Sequence, residues 1–205
     1  MVSRLFFLSA LFSIAFAAVG QSQGSDDQLL TPKAHITIKN PKQLSASEAD
    51  EIYQNIIDEL SAMYAISGDP TANSYRYWRR FNTGPYLSAT HGNRYVNNYA
   101  NAKAGDYGFG ELRKRAPVGA IYAKDSFTIT KEGKLYGGAL FLMEKLAYGV
   151  SLKTSDWRYW MILPDGSLLG DTRGENPEAV KFCHTCHKIV AKKDHLYFVP
   201  KSHQK

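Results

Sequence analysis

Cysteine is almost missing from this chain, which has two cysteines among 205 residues. The two lie close together, as Cys183 and Cys186, so a disulfide between them would close only a very small loop. A framework of structural disulfides, the usual staple of small exported proteins, is therefore excluded. The close spacing indicates that some other group uses both sulfur atoms.

Long apolar runs are also missing after the amino terminus. The one clear run, at residues 5–19, follows Arg4 and carries an A-x-A pattern at Ala15 and Ala17. This pattern predicts a secretory signal peptide over residues 1–17, because the run is too short for a typical membrane span. An uncleaved membrane anchor is the alternative. We expect a periplasmic protein with no membrane span after processing.

The excess of basic residues is modest, with a formal net charge of +6 at pH 7. The basic residues form small clusters, at Arg79–Arg80, Arg113–Arg115 and Lys192–Lys193. No nucleic-acid-binding motif accompanies these clusters, so the sequence predicts no nucleic-acid partner. The positive charge of these clusters would attract an anionic redox partner.

Turn signals and hydrophobic patterns predict one α+β domain over residues 45–205, after a polar N-terminal tail at 18–44. Ser45 and Glu48 form a capping box that begins a helix, and Gly68 ends it. Strands are expected at 94–101, 118–130, 135–145 and 156–163. Their short connections predict an antiparallel sheet. A C-terminal helix should run from Pro177 to about Ala191, with Asn176 as its cap.

The C-terminal helix carries Cys183-His184-Thr185-Cys186-His187, which contains C-x-x-C-H, the attachment pattern of c-type haem. On a helix the two thiols lie about one turn apart, so both can reach the two vinyl groups of one porphyrin edge. His187 follows Cys183 by four residues and lies on the same face, where its imidazole can bind iron. We therefore predict one haem c bound to Cys183 and Cys186, with His187 as the iron ligand.

Two other chemistries would use the same residues. The cysteines and histidines could bind zinc, although a closed zinc site needs ligands from two separated clusters. They could also form a redox dithiol, although that motif usually begins a helix near the front of its domain.

The second axial position of the iron decides what such a haem does. Electron carriers often use a methionine downstream of the motif, but no methionine follows His187. Met63, Met143 and Met161 lie upstream, in segments that look like core. His91, in a Thr-His-Gly loop, is a candidate ligand for an electron carrier, although a single loop histidine is commonly a surface residue. An open distal site is thus expected.

The order of these parts resembles the cytochrome P-460 family and the related β-type cytochromes c′. The matching pieces, over about residues 75–200, are THGNRYVNNYAN, VGAIYAKD, DWRYWMILPDG and CHTCH. The resemblance implies an antiparallel sheet, an aromatic haem pocket and a homodimer. It also implies oxidation of hydroxylamine, or binding of nitric oxide or a similar gas without catalysis.

The same resemblance assigns roles to two further residues. Gly119-Ala120-Ile121-Tyr122-Ala123-Lys124-Asp125 matches the family pattern in which a strand lysine is cross-linked to the porphyrin, which places Lys124 at that position. From the residues alone, Lys124 could equally be an edge-strand lysine that extends to water. Glu178 would correspond to a distal proton acceptor, but its position also suits an ordinary acid in the first turn of a helix.

Overall fold

An antiparallel sheet of eight strands forms the centre of the described structure. The structure is a computed structural model, and it describes residues 35–105, 107 and 115–205. The strands follow the order β1-β3-β4-β6-β7-β8, with β2 also paired to β3 and β5 also paired to β4. Their bounds are β1 Arg79–Arg80, β2 Tyr86–Ser88, β3 Arg94–Ala100, β4 Ile121–Ile129, β5 Leu135–Gly137, β6 Leu140–Lys145, β7 Trp157–Ile162 and β8 Leu168–Asp171. The predicted α+β class, with an antiparallel sheet and a helix near each end, is confirmed.

The N-terminal helix, α1, spans Ala46–Ala65 and begins as the sequence predicted. The Ser45 hydroxyl accepts a bond from the Glu48 backbone N–H, and the Glu48 carboxylate accepts one from the Ser45 backbone N–H. One face of α1 packs on the sheet through buried Tyr53, Leu60 and Tyr64. A short helix, α2 at Pro70–Ser74, follows with Asp69 as its cap. Helices α1 and α2 thus cover one face of the sheet. The cavity described below lies on the other face.

The predicted strand at 135–145 is divided into β5 and β6. Both segments pair with β4, and the pairing shifts by one residue across Gly138 and Ala139. A Cβ at Gly138 would lie 2.1 Å from the Ser126 Oγ, so the close approach of the two strands requires glycine. Periodicity alone did not reveal this break, nor the short strands β1, β2 and β8.

The C-terminal helical segment starts at Pro177 but is α-helical only in its middle. A 3₁₀ turn at Pro177–Val180 leads into α3, Lys181–His187, and a second 3₁₀ segment follows at Lys188–Lys193. The predicted side-chain cap by Asn176 is wrong, because that residue has a left-handed φ of 47° and makes no capping bond. The tight 3₁₀ turns confine the α-helix to the seven residues that contain the C-x-x-C-H motif.

Residues 35–44, at the end of the predicted polar tail, have no helix or strand but lie on the sheet. The backbone N–H of Ile38 donates to the Gly92 carbonyl at 2.9 Å, and that of Lys42 donates to the Ile129 carbonyl at 2.8 Å. These bonds bring His35 to the edge of the cavity. The predicted signal peptide, residues 1–17, lies outside the described residues.

A buried carboxylate, Asp125, joins α1 to the sheet on the face opposite the cavity. The hydroxyls of Tyr53 and Tyr75 donate to Oδ2 at 2.5 and 3.3 Å, and the Asn97 amide donates to Oδ1 at 3.1 Å. Burial raises the pKa of Asp125 to about 6, while these hydrogen bonds act in the opposite direction. The folded chain therefore binds a proton between about pH 4 and 6 that the unfolded chain releases.

The raised pKa of Asp125 predicts a specific pH dependence of stability. The carboxyl of the unfolded chain ionises at a lower pH than that of the folded chain. The contribution of Asp125 to stability therefore falls as the pH rises from about 4 through about 6, and then levels off. Asp125→Asn removes this titration, so its destabilisation relative to the wild type should be smaller at pH 7 than at pH 4, by roughly 1–3 kcal/mol. Urea unfolding at both pH values measures the difference, with the exposed Glu51→Gln as control. A destabilisation that is equal at both pH values would contradict the assignment.

Candidate functional site

The cavity lies between the free face of the sheet and the C-x-x-C-H helix. It encloses about 680 Å³ of space, including the open space at its mouth. Its walls come from β3, β4, β6 and β7, from α3 with the residues after it, and from the Thr90–His91 turn with His35. Residues that the sequence singled out for different reasons therefore line one cavity, namely Lys124, His91, Cys183, Cys186 and His187.

The register of the sheet places the floor of this cavity. Lys124 pairs with Asn98 on one side and with Phe141 on the other, which forms one row across three strands. The next row joins Tyr122, Met143 and Tyr159. Alternation along β4 sends Lys124 and Tyr122 into the cavity and Asp125 to the tyrosines beneath α1. The floor is thus aromatic, with one lysine at its centre.

Lys124 extends into the cavity rather than out to water, so the edge-strand interpretation is wrong. β4 is an inner strand, paired with β3 and β6 on its two sides. Burial lowers the pKa of Lys124 to about 8, and the nearby Cys186 opposes this shift. An amine with a pKa near 8 has a substantial neutral fraction at mildly alkaline pH, and only a neutral amine can act as a nucleophile.

The two cysteines face the cavity from α3 as free thiols. Burial raises the pKa of Cys183 to about 12. A thiol with a raised pKa is a poor redox nucleophile, since catalytic dithiols need a readily formed thiolate. This environment disfavours the redox dithiol and leaves both sulfur atoms beside the aromatic floor.

His187 has the tautomer that a metal ligand needs. Its Nδ1 lies 2.7 Å from the backbone carbonyl oxygen of His195. A carbonyl can only accept, so Nδ1 carries the proton and the lone pair is on Nε2. Burial, and then the charge of Lys124, lower the pKa of His187 to about 4. The ring is therefore neutral at pH 7, as metal coordination requires.

A left-handed turn brings the His195 carbonyl to His187. Asp194 and His195 have φ values of 49° and 65°, which non-glycine residues seldom adopt. The Asp194 carboxylate bonds the Lys145 amine at 2.8 Å and the Ala116 backbone N–H at 2.8 Å. Lys145 is also 4.7 Å from the centre of the Trp157 ring. This buried ion pair holds the turn in place against its backbone strain.

His91 is buried, so its interpretation as a surface residue is wrong. Its Nδ1 lies 3.0 Å from the Ser88 hydroxyl and 3.2 Å from that of Thr90. Burial, and then the charge of Lys124, lower the pKa of His91 well below its ordinary value, so it presents a neutral imidazole to the cavity.

His35 is a site residue that the sequence analysis missed. Its ring centre is 5.3 Å from that of His91, 4.9 Å from that of Phe141 and 4.6 Å from that of Phe182. Burial lowers the pKa of His35 to about 4. A lone histidine in a polar segment carries no pattern that could have indicated this position.

Two tyrosine hydroxyls supply a test of whether the cavity suits a haem. The hydroxyls of Tyr122 and Tyr159 are buried at the cavity and make no hydrogen bond among the residues that the structure describes. Buried hydroxyls normally have a partner, so these two suit a bound group that offers polar atoms. Together with two thiols, a neutral imidazole and aromatic walls, the residues fit a haem c.

One sequence candidate lies away from the cavity. Glu178 has 65% of its side chain exposed and pairs with Lys181 at 3.1 Å, as an ordinary acid at a helix start would. A distal proton acceptor at Glu178 does not follow from this position.

No family model matches the chain, and no curated protein matches it. Within residues 35–105, 107 and 115–205, no group of three or more His, Cys, Asp or Glu side chains is arranged to hold a metal ion. The same part of the chain has no helix that is long and apolar enough to cross a membrane.

Proposed function

We propose that the chain is an exported c-type cytochrome with one covalent haem and an open distal side, which binds or oxidises small nitrogen compounds such as hydroxylamine or nitric oxide. One observation carries this proposal. The C-x-x-C-H residues and Lys124 belong to separate elements, yet they line the same cavity. The motif alone predicts that its two cysteines and its histidine hold a haem. The resemblance to cytochrome P-460 separately assigns Lys124 to the haem. Their convergence supports both.

The chain's own residues have distinct parts in holding the haem. The thiols of Cys183 and Cys186 would each add across a vinyl group and form a thioether bond. Nε2 of His187 would bind the iron, with its ring oriented by the His195 carbonyl. Phe141, Tyr122 and Tyr159 would exclude water from the porphyrin faces. Bound in this way, the haem would supply an iron centre for ligand binding and electron transfer.

Proton transfer would fall to groups inside the cavity. Oxidation of hydroxylamine releases protons as well as electrons, so an enzyme of this kind needs a base near the substrate. The neutral imidazoles of His91 and His35 are bases inside the cavity, whereas Glu178 is exposed. We therefore assign proton uptake to this histidine pair rather than to Glu178, with both imidazoles acting as weak bases because burial lowers their pKa. A protein that only binds nitric oxide or another gas would have no use for a base.

The resemblance to cytochrome P-460 also implies a homodimer. The periplasmic location follows from the predicted signal peptide at 1–17. A soluble redox partner is required if the protein oxidises a substrate, because the released electrons must leave the haem.

Haem attachment is the first test. Protein matured in a bacterial periplasm should be coloured and should keep one haem mass after denaturation. Cys183→Ala with Cys186→Ala should abolish the covalent haem, whereas Thr185→Ala between them should retain it. Mass spectrometry of the denatured protein measures this. Colourless wild-type protein with the mass of the bare polypeptide would refute the proposal.

Added hydroxylamine and nitric oxide should then change the absorption spectrum of the haem protein. Turnover of hydroxylamine distinguishes the enzyme from the gas-binding protein.

Lys124 gives a second prediction. If its amine is bonded to the porphyrin, the wild type should have an anomalous spectrum that differs from that of ordinary c-type haem. Lys124→Met should then return the spectrum to the ordinary c-type form, because the extra bond to the ring is lost. The exposed Lys131→Met serves as control. An unchanged spectrum in Lys124→Met would remove the cross-link and leave Lys124 as an ammonium group in the pocket.

An electron carrier is the second candidate function, since His91 is buried at the cavity with an oriented ring. A carrier would have His91 as the sixth iron ligand. The resting ferric protein would then be six-coordinate and low-spin, and His91→Ala would convert it to a high-spin form, as absorption and electron paramagnetic resonance spectra report. His203→Ala, near the C terminus, is the control. A high-spin wild type would instead indicate an open site.

A further inference from the structure

A groove with basic walls lies outside the cavity, beside the turn that supports His187. It runs between the β6–β7 connection and the residues after α3, and encloses about 1030 Å³ including its opening. Arg115, Lys192 and Lys193 provide its cations. We call it the basic groove. The proposed chemistry inside the haem cavity uses none of these three residues.

The carboxylates of the basic groove are engaged within the chain. Asp156 accepts bonds from the backbone N–H groups of Ser151 and Gly149, at 2.9 and 3.1 Å. Asp194 is paired with Lys145 at 2.8 Å, so that pair adds no net charge. Three cations then face one remaining carboxylate, which leaves an excess of two positive charges on the groove. Such an excess attracts a partner with an acidic surface.

Apolar side chains stand exposed beside these charges. Tyr148 is 82% exposed and Leu152 is 73% exposed, and both line the groove. Arg115 lies 5.9 Å from the centre of the Tyr148 ring. Exposed aromatic and aliphatic side chains within a charged rim are typical of transient protein interfaces.

The groove also has a short route to the proposed iron ligand. His195 lines the groove, and its backbone carbonyl accepts the bond from Nδ1 of His187 at 2.7 Å. The His195 ring stacks on that of His184, within the haem motif, at 5.4 Å between centres. Only His195 and one hydrogen bond would therefore separate a partner docked in the groove from His187, the proposed iron ligand.

We propose that the basic groove is the docking surface for a soluble electron-carrier protein whose redox centre is surrounded by acidic residues. The partner's carboxylates bind Arg115, Lys192 and Lys193, and its apolar centre packs on Tyr148 and Leu152. With the haem bound, the partner's redox centre would exchange one electron at a time with it, so that one is oxidised as the other is reduced. This inference rests on the proposed haem and names the kind of partner that it requires.

The test compares two double variants with the same change in charge. Lys192→Glu with Lys193→Glu reverses the charge of two lysines in the groove. Lys131→Glu with Lys134→Glu reverses the charge of two exposed lysines in the β4–β5 turn. The β4–β5 turn lies at the Ile129 end of β4. The β6–β7 connection, which lines the groove, begins beside the Ile121 end, so the two pairs of lysines are near opposite ends of β4. The probe is a reduced plant-type [2Fe–2S] ferredoxin, a small acidic electron carrier, and stopped-flow spectroscopy follows reduction of the haem.

The groove variant should be reduced roughly tenfold more slowly than the wild type at low ionic strength, and the difference should vanish in high salt. The turn variant should stay within about twofold of the wild type, since its charges lie far from the docked partner. Leu152→Asn should slow the reaction without changing its salt dependence. Equal effects of the two double variants, or a wild-type rate that is independent of salt, would overturn the proposal.

A binding measurement separates this inference from the haem itself. Nuclear magnetic resonance of the labelled protein with oxidised ferredoxin should show shifts at residues 148–152 and 191–195. If the protein carries no haem but these shifts appear, the docking surface stands and the proposed function fails. If haem is present but the shifts lie elsewhere or are missing, the docking surface fails alone.

Discussion

The hydrogen bond from His187 to the His195 carbonyl is the interaction on which the site depends. It fixes the tautomer and the direction of the ring, and so decides which nitrogen faces the cavity. The carbonyl is in place because Asp194 and His195 adopt left-handed conformations, and Asp194 is held by the buried Lys145. A lysine at the end of β6 thereby controls the orientation of an imidazole on α3. This contact couples the sheet to the helix, in addition to the packing of Phe182 and Cys183 on the sheet.

The sheet separates two kinds of environment. Beneath α1, the hydroxyls of Tyr53 and Tyr75 and the amide of Asn97 satisfy Asp125 within the chain. On the cavity face, the hydroxyls of Tyr122 and Tyr159 have no partner in the described part of the chain. The first face is a closed hydrogen-bonded network, and the second has buried hydroxyls to which a bound group could hydrogen-bond. The proposed cofactor would lie on this second face.

The sequence predicted the parts of the fold that follow from local patterns. The capping box at Ser45 and Glu48 fixed the start of α1, and the strands near 94–101 and 156–163 differ from the observed ones by about a residue. The C-x-x-C-H motif indicated three residues of the cavity because its spacing is itself the chemical requirement. Lys124 was indicated by resemblance, since a lone lysine on a strand carries no signal.

Residues brought in by tertiary contacts were beyond the reach of the sequence. His35 enters the cavity because residues 35–44 hydrogen-bond to the sheet, and no periodicity marks such a segment. The burial of His91 depends on packing against His35 and Phe141. The division of the 135–145 strand depends on a close contact between Gly138 and Ser126. Each of these features is determined by a partner distant in the chain.

Neighbouring residues of opposite charge, Lys124 and Asp125, face opposite sides of β4. A slip of one residue in the pairing of β4 would move the ammonium group among the tyrosines beneath α1 and the carboxylate into the aromatic cavity. The carboxylate would then be buried without its hydrogen-bond partners, at a cost on the order of several kcal/mol. This difference favours a single alignment of the strand over misaligned forms of the sheet.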